Sequence, residues 1–444
     1  MSDRFTHIEL DTPDIDTNVF QSEGGLQVTE GNTARQINGV WHNAIGLQST
    51  AEHRHVAKSW QDQCVPFNSV LTSLEEHSHT KHDIMLLESD VAVTDDPVFP
   101  SIVTLNGQLN PTPFTDNGFS SLRMFTDIPQ SMISWLSEKG YHKDVVRYVN
   151  NSLTDRVEAW NASHTEPREF RLRLRHDKDG NEVVRAVCSE RYGVIDNYDA
   201  MGLVRDCLQD IGQLNNVLIS HLDDDGDDIF CNFLLPDEMK SYPDSDYGVG
   251  IAFRNSEIRN ATLKISPFLF RAICLNGQIW GRHNGGISIN KRHLGKIELD
   301  DIRADIKQSI LVAITGGHAM ANMMQQSQTI GIDEPLRVIA QLSRDNKLTC
   351  DQGRAWHKGY LDSKSESTGQ YNDHTAFGII NGLTRSAQKY SGAMRENMEM
   401  IAGSILAPSI EADLSAISKR WGRIMSNANA LDEDTVKQYQ YISR

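Results

Sequence analysis

The chain is poor in the features that announce a chemistry. Its six cysteines, at 64, 188, 207, 231, 274 and 350, include no C-x-x-C pair. Scattered in this way, with Cys207 and Cys274 on apolar helix faces, they read as small hydrophobes in a reduced, cytoplasmic compartment rather than as a disulfide framework. No apolar run is long enough to span a bilayer. The acidic, polar N-terminus resembles neither a signal nor a transit peptide. No G-x-G-x-x-G or G-x-x-x-x-G-K-[ST] opens a helix after a strand, so nucleotide-driven chemistry is not expected. A G-x-S-x-G motif is also missing, and Cys188 and Ser189 have no identifiable base. Positive charge is in deficit: the formal net charge is −17. That excludes a generic coating of DNA or membrane, but not a local basic groove.

Two clusters invite a metal, and neither completes a site. His77, His79 and His82, with His53 and His55, lack a cysteine or carboxylate pattern beside them and read as polar loop histidines. The run DDDGDD at 223–228 lacks the alternating ligands and closing Glu of an EF-hand, which predicts a solvated hairpin tip. No metal, cofactor or catalytic residue is assigned, and the chain is not expected to be an enzyme.

What is present is organised around Glu182 to Asp210. Val183 to Ile195 is Val-rich with charged residues interleaved, the pattern of a strand. Asp196 or Asn197 can cap the helix that follows, which sets Met201, Val204, Leu208 and Ile211 on one face before Gly212 stops it. Upstream, EFRLRLR (169–175) is a second strand, with Phe170, Leu172 and Leu174 on one face and Arg171, Arg173 and Arg175 on the other. The arginine row is either a solvated outer face or a surface for a polyanion. A three-residue loop Lys178-Asp179-Gly180 would set Arg173 opposite Arg185 on one face. A two-residue loop would separate them. Gly180 favours the former, and side-by-side arginines without a polyanion would repel. Reversing Arg171, Arg173 and Arg175 to Glu is then expected to weaken polyanion binding and leave the fold intact.

The flanks complete an α+β pattern with an antiparallel sheet, helices covering one face, a helical lead-in and a helical C-terminal region. Residues 1–60 read as a loosely ordered leader with a short hairpin around 26–40. Residues 61–295 form an α+β core, 296–405 a helical region, and 406–444 a C-terminal helix and tail. Within the core, Pro129 and Gly140 bracket a helix, and 143–160 continues as another. Strands are predicted over 216–222, 229–235, 247–255 and 260–265. Ser266-Pro267 predicts a helix start, with Asn276-Gly277 ending it. Helices are predicted from 299, over 333–344 and 350–361 (opened by the capping box Thr349-x-x-Gln352), and over 374–405 and 408–427. The pair at 333–361 lacks a basic recognition helix for DNA.

Three runs carry a resemblance: RAVCSERYGVIDNYDAM (185–201), YGVGIAFRNSEIRNATLKISPFLFRAICLNG (247–277) and TAFGIINGLTRSAQKYSGAMRENMEMIAGSIL (375–406). Together with RMFTDIPQSMISWL, they resemble a bacterial and phage family, the phage/plasmid-like proteins with domain of unknown function nine-three-two, over residues 65 to 405. That family supplies no catalytic residue, and it implies a phage, prophage or plasmid setting. The order hairpin, helix, three-stranded meander, long helix is also similar to the single-strand annealing proteins RecT and Red-beta, mapped here onto 169–195, 197–211, 216–265 and 266–276. Fold alone does not give function.

The expectation is therefore a protein of the bacterial host cytoplasm that binds and anneals single-stranded DNA in recombination without nucleotide hydrolysis. A ring or filament of copies and a phage nuclease or single-strand-binding protein are the implied partners, and no membrane. Arg171, Arg173, Arg175, Arg185 and Arg191 would follow the phosphates, and Tyr192 would stack a base or sit in the core. Arg254, Arg259, Lys264 and Arg271 form a second basic set, with Arg271 alternatively a structural residue paired to a carboxylate. The alternative is a non-enzymatic interaction factor, an inhibitor or decoy of host machinery.

Overall fold

The computed structural model describes residues 35–37, 40–42, 61, 64–241, 246–272, 276–279, 289–295, 299–366, 374–406, 409 and 412–442. Most of the leader, with His53 and His55, and Cys274 lie outside the described residues. A short hairpin is present as β1 (Arg35–Ile37) and β2 (Val40–His42), later than the expected 26–40, of which 26–34 lie outside the described residues.

The chain is α+β, and its largest unit is a seven-stranded antiparallel sheet. Its strands are β3 (Val65–Pro66), β10 (Leu218–Asp224), β11 (Asp228–Ser241), β12 (Asp246–Ser256), β13 (Leu263–Arg271), β14 (Asn276–Ile279) and β15 (Ile289–Lys291). Alternation along β11 to β13 sends Ile229, Cys231, Phe233, Ile251, Phe253 and Ile265 to one face. There they meet helices α1 (Phe67–Ser78), α5 (Asn197–Asp210) and the first half of α6 (Leu299–Ser327). The opposite face presents Phe230, Leu234, Ala252, Phe268 and Phe270.

A second, three-stranded sheet runs β4 (Lys81–Leu87), β8 (Glu169–His176), β9 (Glu182–Ser189). Phe170, Leu172 and Leu174 of β8 enter a core with α2 (Asp116–Thr126), α3 (Gln130–Glu138) and α4 (His142–Asn161). A small sheet of β5 (Val91–Thr94), β6 (Ser101–Thr104) and β7 (Thr112–Pro113) joins them. The C-terminal helices are α7 (Pro335–Asp345), α8 (Cys350–Glu366), α9 (Ala376–Ala387), α10 (Gly392–Leu406), α11 (Leu414–Asn429) and α12 (Glu433–Gln438). Of these, α7 to α11 share one core with Tyr247, Val249 and Leu269 of the large sheet, so the helical region is packed on the sheet rather than separate from it. No helix among the described residues is long and apolar enough to cross a membrane.

Three expectations are corrected. In place of the helix expected over 267–276, residues up to Arg271 belong to strand β13. LKISPFLFR alternates with period two, and Pro267 falls where β15, paired through Ile265, and β14, paired from Phe268, leave β13 without a neighbour on that side. Such a gap tolerates a residue with no N–H to donate. The long helix mapped onto 266–276 is therefore not found there, and the next helix among the described residues is α6. The helix expected over 374–405 is two helices, broken before Gly392, whose φ is +52°. The strand expected to reach Ile195 stops at Ser189, and Tyr192 turns the chain through a bond from its N–H to the Ser189 carbonyl.

Candidate nucleic-acid interface

The β8–β9 hairpin closes with the Asp177 N–H bonded to the Asn181 carbonyl, leaving the loop Lys178-Asp179-Gly180, with Gly180 at φ +79°. The expected register is present, modified by a bulge: Arg173 pairs with Ala186 and Leu174 with Val184, so Arg185 is the extra residue on β9. Arg173 and Arg185 share a face, and both reach Glu257.

They do not face a ligand. Arg173 is buried and binds Asp83 at 3.0 Å, Asp196 at 2.5 Å and the Glu257 carbonyl at 2.7 Å. Arg185 is fully buried and bridges Asp227, at 3.0 Å, to the Glu257 carboxylate. Arg175 binds Asp227 at 2.8 Å, and the half-buried Arg171 binds Asp83 at 3.3 Å. Lys81 adds a bond to Glu257 at 2.9 Å and one to the Gly226 carbonyl at 2.5 Å. The polyanion that relieves the repulsion is internal. The DDDGDD tip is accordingly no solvated turn: its Asp227 and Gly226 are anchored on the arginine sheet, and the Asn197 side chain holds the Asp227 carbonyl. Asp196 stands at the N-cap of α5 but gives its carboxylate to Arg173, and Glu257 accepts from the Asn197 N–H instead. Burial alone would raise the Glu257 carboxyl, but Lys81, Arg185 and Arg173 bring it down to about 2. Burial disfavours the charged Arg173 guanidinium, and Asp196, Asp83 and Glu257 reverse that and hold its proton more tightly. Phosphate-following roles for Arg173, Arg175 and Arg185 are therefore withdrawn.

Tyr192 is 7 % exposed and lies parallel to the His293 ring at 5.2 Å, with the Arg173 guanidinium 5.9 Å from its ring centre. Its face is occupied, so it walls a cavity rather than offering a platform to a base. Arg271 is also structural. It is buried on β13 rather than on the expected helix, with its guanidinium 4.8 Å from the Phe377 ring centre and 3.4 Å from Asn381 Oδ1, both on α9. Cys188 is buried, and burial pushes its thiol up to about 11, far from a nucleophile. Among the described residues no group of His, Cys, Asp and Glu is arranged to hold a metal. His82 pairs with Glu182 at 3.1 Å.

The remaining predicted residues converge. Two hollows meet at Tyr192. One, of about 490 Å³, is lined by Arg171, Glu190, Arg191, Gly193, Val194 and Gly295. Arg191 there is almost wholly exposed, with Glu190 at 3.9 Å. The other, of about 620 Å³, is lined by Arg254, Arg259, Lys264 and Arg292, with Glu396 as its acidic residue. Arg254 and Lys264 share Glu396, at 3.4 and 3.1 Å. Arg259, in the left-handed conformation at φ +73°, donates to the Val187 carbonyl, and its guanidinium lies 5.5 Å from the Phe125 ring. Arg292 is exposed. His293 is buried, its Nδ1 is 3.1 Å from the Gly193 carbonyl, and its Nε2 has no partner among the described residues. Burial lowers its tendency to take a second proton, so Nδ1 donates and the ring is neutral.

Each of the three runs that carry the family resemblance supplies wall residues to the larger hollow: Ser189 and Tyr192, then Arg254 to Lys264, then Ala393, Glu396, Asn397 and Met400. Arg292, His293, Leu294 and Glu396 had no local signal, because they become neighbours of β13 only through tertiary packing. No family model, curated protein or solved structure matches the chain.

Proposed function

We propose that the protein binds single-stranded DNA along the paired hollows and promotes annealing, without nucleotide hydrolysis, in a phage or plasmid setting. The observation that supports this is the surplus of cations around Tyr192. Arg191 and the Asp83-paired Arg171 lie on one side, and Arg254, Arg259, Lys264 and Arg292 on the other, against Glu190 and Glu396 as the acidic lining. Guanidinium forks match phosphate oxygens, and two adjoining basic hollows suit a charged backbone that passes from one to the next. The net charge of −17 does not oppose this, because fields beyond about 10 Å are screened at moderate salt. Annealing requires bases left free to pair and copies of the chain held in register. The resemblance to the annealing proteins is what brings that step into the proposal.

The test is a mobility shift with labelled single strands across a salt series, followed by annealing of complementary oligonucleotides. Affinity is expected to fall steeply with salt, by about 0.7 in logarithmic slope for each phosphate neutralised. A chain that neither binds nor anneals single strands at low salt overturns the proposal and favours the interaction factor.

A further inference from the structure

The larger hollow is not uniformly polar. Leu294, 60 % exposed, and Met400, 37 % exposed, are large apolar side chains left in solvent, and both line it. They come from different elements: Leu294 from the segment after β15, fixed by its bridge to Tyr192, and Met400 from α10. Arg292, Arg259 and Lys264 line the same hollow. Its volume of about 620 Å³ lies in the range of small-ligand recesses, roughly 300–1,000 Å³. Apolar walls beside convergent cations are the two halves of a nucleotide: a flat base that gains by leaving water, and a phosphate that needs donors.

We infer that this hollow is a single-nucleotide recess, in which one base of a bound strand lodges against Leu294 and Met400 while its phosphate is held by Arg292, Arg259 and Lys264. The inference rests on the single-strand reading and assigns it a base contact that Tyr192 cannot make. It gives the site a preference for strands that carry bases over a bare sugar-phosphate chain. The contact is sequence-tolerant, since every base has an apolar face.

The test uses the full chain and three measurements. The first compares affinity for an oligonucleotide with that for the same length made abasic. The second follows the fluorescence of 2-aminopurine placed within the strand, which brightens as the base leaves its stack. The third repeats both with Leu294→Ser and Met400→Ser combined. Both side chains are exposed, so thermal unfolding is expected to match the unsubstituted protein. The abasic strand and the double variant are each expected to bind about tenfold more weakly, with the salt slope unchanged and the 2-aminopurine signal lost in the variant. Binding that is equally tight for abasic strands and for the variant overturns the recess while leaving single-strand binding in place. If no strand binds the unsubstituted protein, single-strand binding and the recess are overturned together.

Discussion

Arg173 and Arg185 are closed off by Asp83, Asp196, Asp227 and Glu257, whereas Arg259 and Arg292 line a hollow whose acidic wall residue, Glu396, already serves Arg254 and Lys264. Both sets sit close to Tyr192. The first set is paired with internal carboxylates, Arg185 through Nη1 alone, and holds the β8–β9 sheet against the DDDGDD tip and the β12 end. The second is under-matched and open. An arginine's part is therefore set by the carboxylates that the fold brings to it rather than by its neighbours in sequence. The alternating arginines that looked most available for a ligand are the ones least available.

The largest effect should come from breaking the closed set. Arg185→Met strips Glu257 and Asp227 of a shared counter-charge in a buried site, and a broken buried pair typically costs about 3–5 kcal/mol. Denaturant unfolding should show a loss of that order. A loss within about half a kcal/mol would mean that the network is not closed. For the same reason, reversal of Arg171, Arg173 and Arg175 to Glu should unfold the protein rather than selectively weaken binding, contrary to the sequence-based expectation.

Acid should act next. The Glu257 carboxyl falls from an ordinary 4.5 to about 2 on folding, so its charged form stabilises the native state. That contribution is complete above the unfolded value and disappears as pH drops from about 4.5 to about 2. With about 1.4 kcal/mol per unit, it is on the order of 3 kcal/mol. Unfolding free energies measured across this window should fall more steeply in the unsubstituted protein than in Glu257→Gln.

Opening the comparison from the other side, Arg292→Glu should leave the melting temperature in place and weaken single-strand binding about tenfold or more, with a reduced salt slope. The smallest effect is expected at Arg191: Arg191→Ala should change stability by no more than about half a kcal/mol, because the side chain is exposed and its partner is 3.9 Å away. Its single-strand affinity should still show a shallower salt dependence.

These contrasts also mark how far the sequence was legible. Alternation in EFRLRLR, the apolar stripe of α5, the brackets Pro129 and Gly140 and the capping box at Thr349 are local signals, and each appears as read; Gln352 and Thr349 exchange bonds of 2.8 and 3.2 Å. The DDDGDD aspartates and the arginine row were both visible, but nothing local joins Arg185 to Glu257, 72 residues away. The bulge at Arg185 had no glycine to announce it. Ser266-Pro267 carried a stronger local helix-start signal than strand signal, and sheet pairing overrode it. The hollow was half legible: Arg254, Arg259 and Lys264 were named, whereas Arg292, Leu294, Glu396 and Met400 depend on how α10 and the segment after β15 come to rest on the sheet.

The interrupted border of the large sheet has a consequence for self-association. At one edge stands β3, two residues long and containing Pro66. At the other, β14 and β15 cover separate ends of β13 and leave Ser266 and Pro267 between them. Among the described residues, neither β3 nor the β14–β15 pair offers a long, flat row of unpaired backbone groups, the template on which strands of separate molecules zip together into fibrils. Strands of separate copies would therefore find little purchase on this sheet, and an edge left for such pairing is β4 of the smaller sheet, where Lys81, His82 and Asp83 set charge along the strand.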